Sequence, residues 1–381
     1  MSIWQWSSRL PNISERSRLT LGEGSTPLIA SRHIGPKAGV GRMMFKVETA
    51  NPTGSYKDRF AACAISHMVA QGQTRCVATS SGNTGSALAA YCTAAAISCH
   101  VVIVESAPRA KLTQMLCHGA QLFYVRGFGL DPQVTERTFE KVAALARQPG
   151  AALQISAFKY SPVGMEGVKT IAYELMDGTN GAIDDVFVPV GGGGLALAVA
   201  RGCLELAAEM RVSPPRVHCV QPAGNNTIAG PLRAGYPRGV EVSCTSRISG
   251  LQVPNLMDGN ATMDACRATG GTGFVVSDEA IYVAQRRLAR EEGVLCEPAG
   301  ATPLAAALDA IQTRQLDPDA TMVCLVTGAG FKDSSSVEAM VADHQIPLVE
   351  LDELAERMGS HREAEATNHN HPPDPRQLAG G

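Results

Sequence analysis

The sequence predicts an α/β protein with mainly parallel strands. Short apolar runs rich in β-branched residues alternate with longer helix-patterned stretches, the pattern of strands joined by right-handed helical crossovers. Glycine, with 38 residues, gathers where those strands give way to helices, as it does at ligand-facing turns. The chain of 381 residues suits two domains or one large one.

The expected strands cover residues 76–79, 100–104, 121–125, 186–190, 217–221 and 322–327. Expected helices cover 58–70, 84–95, 111–117, 132–146, 166–176, 195–210, 278–292, 303–313 and 335–342. The smaller domain is expected at about 51–150, and the larger from 1–50 together with 151–350. Residues 359–381, rich in Pro, His, Asn and Glu, read as a disordered tail. No internal repeat is present.

Composition narrows the function classes. Hydrophobic residues make up 45% and charged residues 18%, enough for a large core and too apolar for wholesale disorder. The net charge of −3, with no cluster of Lys and Arg, gives no general pull toward nucleic acid or an anionic membrane. No apolar run reaches a membrane span, and the N-terminus lacks the basic and apolar regions of a secretory signal. Eleven cysteines are scattered without a C-x-x-C pair. They read as buried reduced thiols of a cytoplasmic protein, and no metal site is expected.

Four segments carry candidate chemistry. In Asn51-Pro52-Thr53-Gly54-Ser55-Tyr56-Lys57, a Pro/Gly turn delivers Lys57 to a helix start. The positive end of a helix disfavours an ammonium, which biases the amine toward the neutral form that attacks an aldehyde. A surface lysine after a turn fits the local pattern equally well. Ser80-Ser81-Gly82-Asn83-Thr84-Gly85 follows a strand and opens a helix, a layout that brings N–H groups, hydroxyls and the Asn83 amide to a ligand. An ordinary β–α turn with a Ser or Asn cap has the same layout.

Gly191-Gly192-Gly193-Gly194 stands directly before a helix. Each glycine costs backbone entropy, so the run makes sense where one phosphate rests on bare N–H groups at the helix N-terminus. It is neither a dinucleotide fingerprint nor a P-loop. Thr327 ends the last strand, where its hydroxyl can meet the far side of a ligand ring.

In this order the segments resemble the fold-type II (tryptophan synthase β-like) family of pyridoxal-phosphate enzymes, and within it the threonine synthases. The resemblance runs from about Leu21 to Asp333 and includes Gly22-Glu23-Gly24-Ser25-Thr26-Pro27-Leu28, Lys111-Leu112-Thr113-Gln114 and His118-Gly119-Ala120. Further on it includes Glu166-Gly167-Val168-Lys169-Thr170, Glu297-Pro298-Ala299-Gly300-Ala301 and Thr327-Gly328-Ala329-Gly330-Phe331-Lys332-Asp333. The resemblance implies pyridoxal 5′-phosphate as cofactor, carried by Lys57 as a Schiff base. Gly191, Gly192, Gly193 and Gly194 would hold its phosphate, Asn83 its 3′-oxygen and Thr327 its ring nitrogen. Ser80, Ser81 and Thr84 would receive the substrate carboxylate. An α/β fold of two open twisted-sheet domains, and a homodimer acting on a small amino-acid substrate, are expected from the family.

Three departures bear on the substrate. Threonine synthases commonly carry Asn-Pro-Tyr-Arg where this chain has Ser161-Pro162-Val163-Gly164, so the arginine that helps hold a substrate phosphate is replaced by Gly164. An arginine clamp is charged and bidentate, and its loss matters. Lys159, Arg109 and Lys111 are candidate substitutes, and a solvated surface role is the plainer reading for each. The all-glycine loop is the form seen in threonine and serine dehydratases, and Ala329 stands where a histidine is usual. The expected activity is elimination from O-phosphohomoserine followed by water addition to give threonine. The alternative is a threonine/serine dehydratase or a β-replacement synthase on an altered substrate.

Overall fold

The computed structural model describes residues 2–80 and 82–358, so Ser81 and the expected disordered tail at 359–381 lie outside the described residues. The chain divides into two compact units, Met1–Glu338 and Ala339–Gly381. The second unit contains the short turn of helix Leu351–Glu353. Both sheets belong to the first.

Ten strands form these sheets: β1 (Leu28–Ala30), β2 (Met43–Val47), β3 (Arg75–Thr79), β4 (Ser98–Val104), β5 (Gln121–Val125), β6 (Ala151–Leu153), β7 (Asp185–Pro189), β8 (Arg216–Pro222), β9 (Gly273–Val276) and β10 (Met322–Val326). The six-stranded sheet runs β1-β2-β10-β7-β8-β9, and the four-stranded sheet runs β5-β4-β3-β6. Every pairing is parallel except β1 with β2, where Leu28 opposes Lys46. Parallel strands need crossovers and so are covered on both faces. That is why β7 and β10 are buried at every position, β10 reading as an unbroken apolar run and β7 as one after Asp185. In β4, buried residues alternate with more exposed ones, because only one face meets the deep core.

Four strands escape the sequence pattern. β1, β6 and β9 are three or four residues long, too short to show a period. β2 is disguised by Lys46, whose buried Nζ pairs with Glu174 at 2.7 Å. β6 pairs with β3, so the four-stranded sheet continues past residue 150. The expected helix at 166–176 is two helices, Pro162–Val168 and Thr170–Gly178. The one expected at 303–313 begins instead at Pro298 and carries Pro303 inside it; a proline reads from sequence as a helix start.

The helix Lys57–Ala70 is anchored to the segment after β2 and to the helix Thr170–Gly178. Its Arg59, fully buried, donates to Glu48 at 2.7 and 2.8 Å and to Glu174 at 2.6 and 2.8 Å. A buried guanidinium is tolerable only when its donors are met in this way. The same helix packs closely on Pro162–Val168. A side-chain carbon at Gly167 would lie 2.3 Å from the Arg59 carbonyl oxygen, and one at Gly164 would lie 2.6 Å from the Phe60 ring. Arg59 sits two positions after Lys57, so these contacts also set where Lys57 stands.

Candidate active site

A cavity of about 490 Å³ opens where β3, β7 and β10 end and the helix Lys57–Ala70 begins. Lys57, Ser80, Asn83, Thr84, Gly191, Gly192, Gly193, Gly194 and Thr327 all line it. Residues far apart in sequence thus meet at the C-terminal ends of parallel strands, where α/β folds leave their ligand crevices.

Lys57 is the first residue of its helix, and its amine donates to Ser156 Oγ. Nζ also stands 4.5 Å from the centre of the Tyr56 ring. Burial is the main cause holding the amine down to about 8, with Glu297 and Asp258 opposing. The shift is toward the neutral, nucleophilic form, and desolvation rather than the helix terminus is its main cause.

Asn83 is likewise the first residue of a helix, Asn83–Ala94, whose N-cap is Gly82 with no side-chain cap bond. The Asn83 side chain is therefore not spent on capping. Its Nδ2 donates to both oxygens of Glu297, at 2.9 and 3.1 Å. Ser80 Oγ accepts from the N–H groups of Gly82 and Gly85 at 3.3 and 3.2 Å and so shapes its own turn. Thr84 Oγ1 lies 3.1 Å from Ser156 Oγ. Thr327 is buried at the cavity wall, and its carbonyl accepts the Tyr56 N–H at 3.0 Å.

The glycine run joins β7 to the helix Gly194–Met210, with Gly193 as N-cap at φ +100°. A side-chain carbon at Gly193 would lie 2.4 Å from Thr262 Oγ1. The run is pinned from behind: Asp258 N–H donates to Gly192 O at 3.0 Å, and Thr262 Oγ1 donates to Gly193 O at 3.0 Å.

Three further charged groups line the cavity. Burial pushes the Glu297 carboxyl up to about 7 and holds the Lys332 amine down to about 8. Lys332 Nζ donates to Gln114 Oε1 at 2.5 Å. Lys111 Nζ donates to Ser249 Oγ at 2.6 Å and stands 3.6 Å from Asp333. Gly164 is absent from the wall, being buried against Phe60 and Ala64. Of Lys159, Arg109 and Lys111, only Lys111 lines the cavity.

A family profile described as pyridoxal-phosphate dependent enzyme matches residues 19–328. The chain belongs to that family. The threonine synthase of Mycobacterium tuberculosis is 33% identical over 352 residues, covering 91% of this chain and 92% of that protein. The threonine synthase of Methanosarcina acetivorans is 30% identical over 362 residues, covering 93% and 86%. Among solved structures, the processed threonine deaminase isoform 2 of Solanum lycopersicum superposes with a TM-score of 0.71 at 20% identity, covering 90% of this chain and 94% of that one. Maize serine racemase superposes with a TM-score of 0.69 at 25% identity, covering 97% and 98%. The fold is thus the fold-type II arrangement of this pyridoxal-phosphate-dependent family.

The residues present fit the cofactor. The glycine run lies bare along the cavity wall, the buried lysine is held toward its neutral form, and the Asn83 amide is fixed at the wall by Glu297. Sequence reasoning quoted Glu297 and Lys332 within motifs but gave neither a site role. It missed Ser156 altogether, since that residue lies in a segment with no motif.

Proposed function

We propose that this enzyme is a threonine synthase-like lyase, taking O-phosphohomoserine through elimination and then adding water to give threonine. The observation that carries the reading is the pair of lysines, Lys111 and Lys332, on the wall of the same cavity as Lys57 and the glycine run. A substrate with its own phosphate needs a second cationic subsite, separate from the one that holds the cofactor phosphate. Its relatives in M. tuberculosis and M. acetivorans, named threonine synthases, support the same reading.

In this reading Lys57 holds the cofactor, Gly191–Gly194 take its phosphate, Asn83 meets its 3′-oxygen and Thr327 its ring nitrogen. Bound pyridoxal phosphate supplies an electron sink for charge developing at the substrate α-carbon. Lys57, held near neutrality, accepts the α-proton and returns protons along the substrate chain. The hydroxyls of Ser80, Ser81 and Thr84, with the N–H groups around them, receive the substrate carboxylate. Lys111 and Lys332 hold the leaving phosphate in place of the arginine that Gly164 replaces. The smaller lobe, taken as 51–150 with β6 added, closes on the larger to exclude water until it is needed. The Lys111–Ser249 hydrogen bond joins the two sides of the mouth. The working form is a cytoplasmic homodimer.

A second reading, a threonine/serine dehydratase or β-replacement synthase, is favoured by the all-glycine loop and by the burial of Gly164 away from the cavity. Turnover of O-phosphohomoserine, with phosphate and threonine measured together, separates the two. Equal amounts of both products support the synthase. A 2-oxo acid formed from threonine or serine, with no phosphate release, overturns it.

A further inference from the structure

We propose that Ser156 is a positioning residue for Lys57: it docks the lysine amine whenever that amine is free, and it links the amine through Thr84 to the start of the helix that reads the substrate carboxylate. The inference rests on Lys57 as the lysine that carries the cofactor and on Thr84 as part of the carboxylate subsite, and not on which amino acid is the substrate.

The geometry supports a hydrogen-bond chain with one direction. Lys57 Nζ donates to Ser156 Oγ, and Ser156 Oγ meets Thr84 Oγ1 at 3.1 Å. A protonated amine can only give in the first contact, so Ser156 uses its lone pairs there. The one proton of the serine hydroxyl is then available to Thr84 Oγ1. Thr84 in turn keeps its own O–H as a donor for the cavity. A free, protonated lysine therefore polarises Thr84 toward donating, which is what a carboxylate requires, and chained hydrogen bonds strengthen one another. Release of the lysine and grip on the carboxylate become coupled events.

Ser156 is placed firmly enough for this role. Residues before and after it are tied to side-chain acceptors. Ile155 N–H donates to Ser161 Oγ at 3.0 Å, and the N–H groups of Phe158 and Lys159 donate to Asp258 at 2.7 and 3.0 Å. Asp258 also holds Gly192 through its own N–H, so the segment carrying Ser156 and the glycine run share one anchor. The charges acting on Lys57 are Glu297 and Asp258, with the Tyr56 ring packed against Nζ. Ser156 adds the only neutral hydrogen-bond acceptor recorded for that amine among the described residues.

The test needs no substrate. The cofactor-free protein is recombined with pyridoxal phosphate across a pH series, and the visible band of the lysine-bound cofactor is followed in time. Recombination requires the neutral amine, so its midpoint reports how well the ammonium is held. Ser156→Ala removes an acceptor from the ammonium, and the midpoint is expected to fall by about half a unit or more. Ser156→Thr, which keeps the hydroxyl, restores it. Thr84→Val shifts it in the same direction by less, and the double variant shifts no further than Ser156→Ala alone. A wild-type midpoint in Ser156→Ala, a Ser156→Thr as shifted as the alanine variant, or simple additivity with Thr84→Val overturns the proposal. Lys57→Ala run in parallel keeps two failures apart. A visible band surviving in that variant sinks the lysine assignment, whereas its loss together with an unshifted Ser156→Ala sinks only the docking role.

Discussion

Asn83 and Glu297, 214 positions apart in the chain, meet at the cavity with the Asn83 amide donating to both carboxylate oxygens at 2.9 and 3.1 Å. Glu297 thereby orients the group expected to face the cofactor, and it is the largest charge opposing the burial shift of both Lys57 and Lys332. The carboxyl itself is pushed from 4.5 to about 7 by burial.

The direction of that last shift fixes a pH dependence. A folded-state value above the unfolded one means that the folded protein binds the proton more tightly. The contribution is then complete below about 4.5 and is lost as pH rises through about 7. The urea midpoint of the cofactor-free protein should therefore decline across that window. Glu297→Gln should flatten the decline in part, since Asp58, also raised to about 7 by burial, keeps its share. A decline as steep in Glu297→Gln as in the wild type counts against a buried, titrating Glu297.

Lys57→Ala is expected to bind pyridoxal phosphate without the visible band of a lysine-bound cofactor and to lose turnover. Absorbance after gel filtration, together with borohydride trapping, checks both parts.

Gly193→Ala places a side-chain carbon 2.4 Å from Thr262 Oγ1 at a backbone φ of +100°. Strain of this kind costs about 1–3 kcal/mol. It displaces the run proposed to hold the cofactor phosphate, so cofactor affinity should fall by roughly 10-fold or more, read by fluorescence titration. Unchanged affinity would place the phosphate elsewhere.

Arg59→Met leaves Glu48 and Glu174 buried without their guanidinium. Breaking a buried pair from one side costs about 3–5 kcal/mol. Urea unfolding should register a loss of that size, and a loss under about 1 kcal/mol would show that Lys46 alone neutralises the pocket.

Lys111→Ala should raise KM for O-phosphohomoserine roughly 10-fold, the scale of one hydrogen bond to a charged group, while the visible cofactor band stays unchanged. An unaltered KM would remove Lys111 from the substrate subsite and leave Lys332 to hold the phosphate.

Much of the fold is legible locally. The strand at 121–125 and the helices at 132–146 and 278–292 match β5, Pro132–Ala146 and Asp278–Glu292, because each carries its period or its cap inside one segment. The Ser277 hydroxyl, for example, accepts from Ala280 N–H and starts its helix without outside help. β2 was not legible, because Lys46 becomes acceptable within a strand only once Glu174, from a distant helix, stands beside it.

The sequence by itself determined the α/β alternation, the lysine after its Pro/Gly turn, the hydroxyl-rich turn at 80–85 and the glycine run before a helix. Each of these is written in neighbouring residues, where backbone propensity and turn chemistry act. Only the tertiary structure decided that Glu297 would hold Asn83, that Ser156 would meet Lys57, and that Lys111 and Lys332 would line the cavity while Gly164 turned inward against Phe60. Those relationships arise where separate strands end side by side. Burial then sets the protonation of Lys57 and Glu297, a property that depends on what surrounds a group in space and not on its neighbours along the chain.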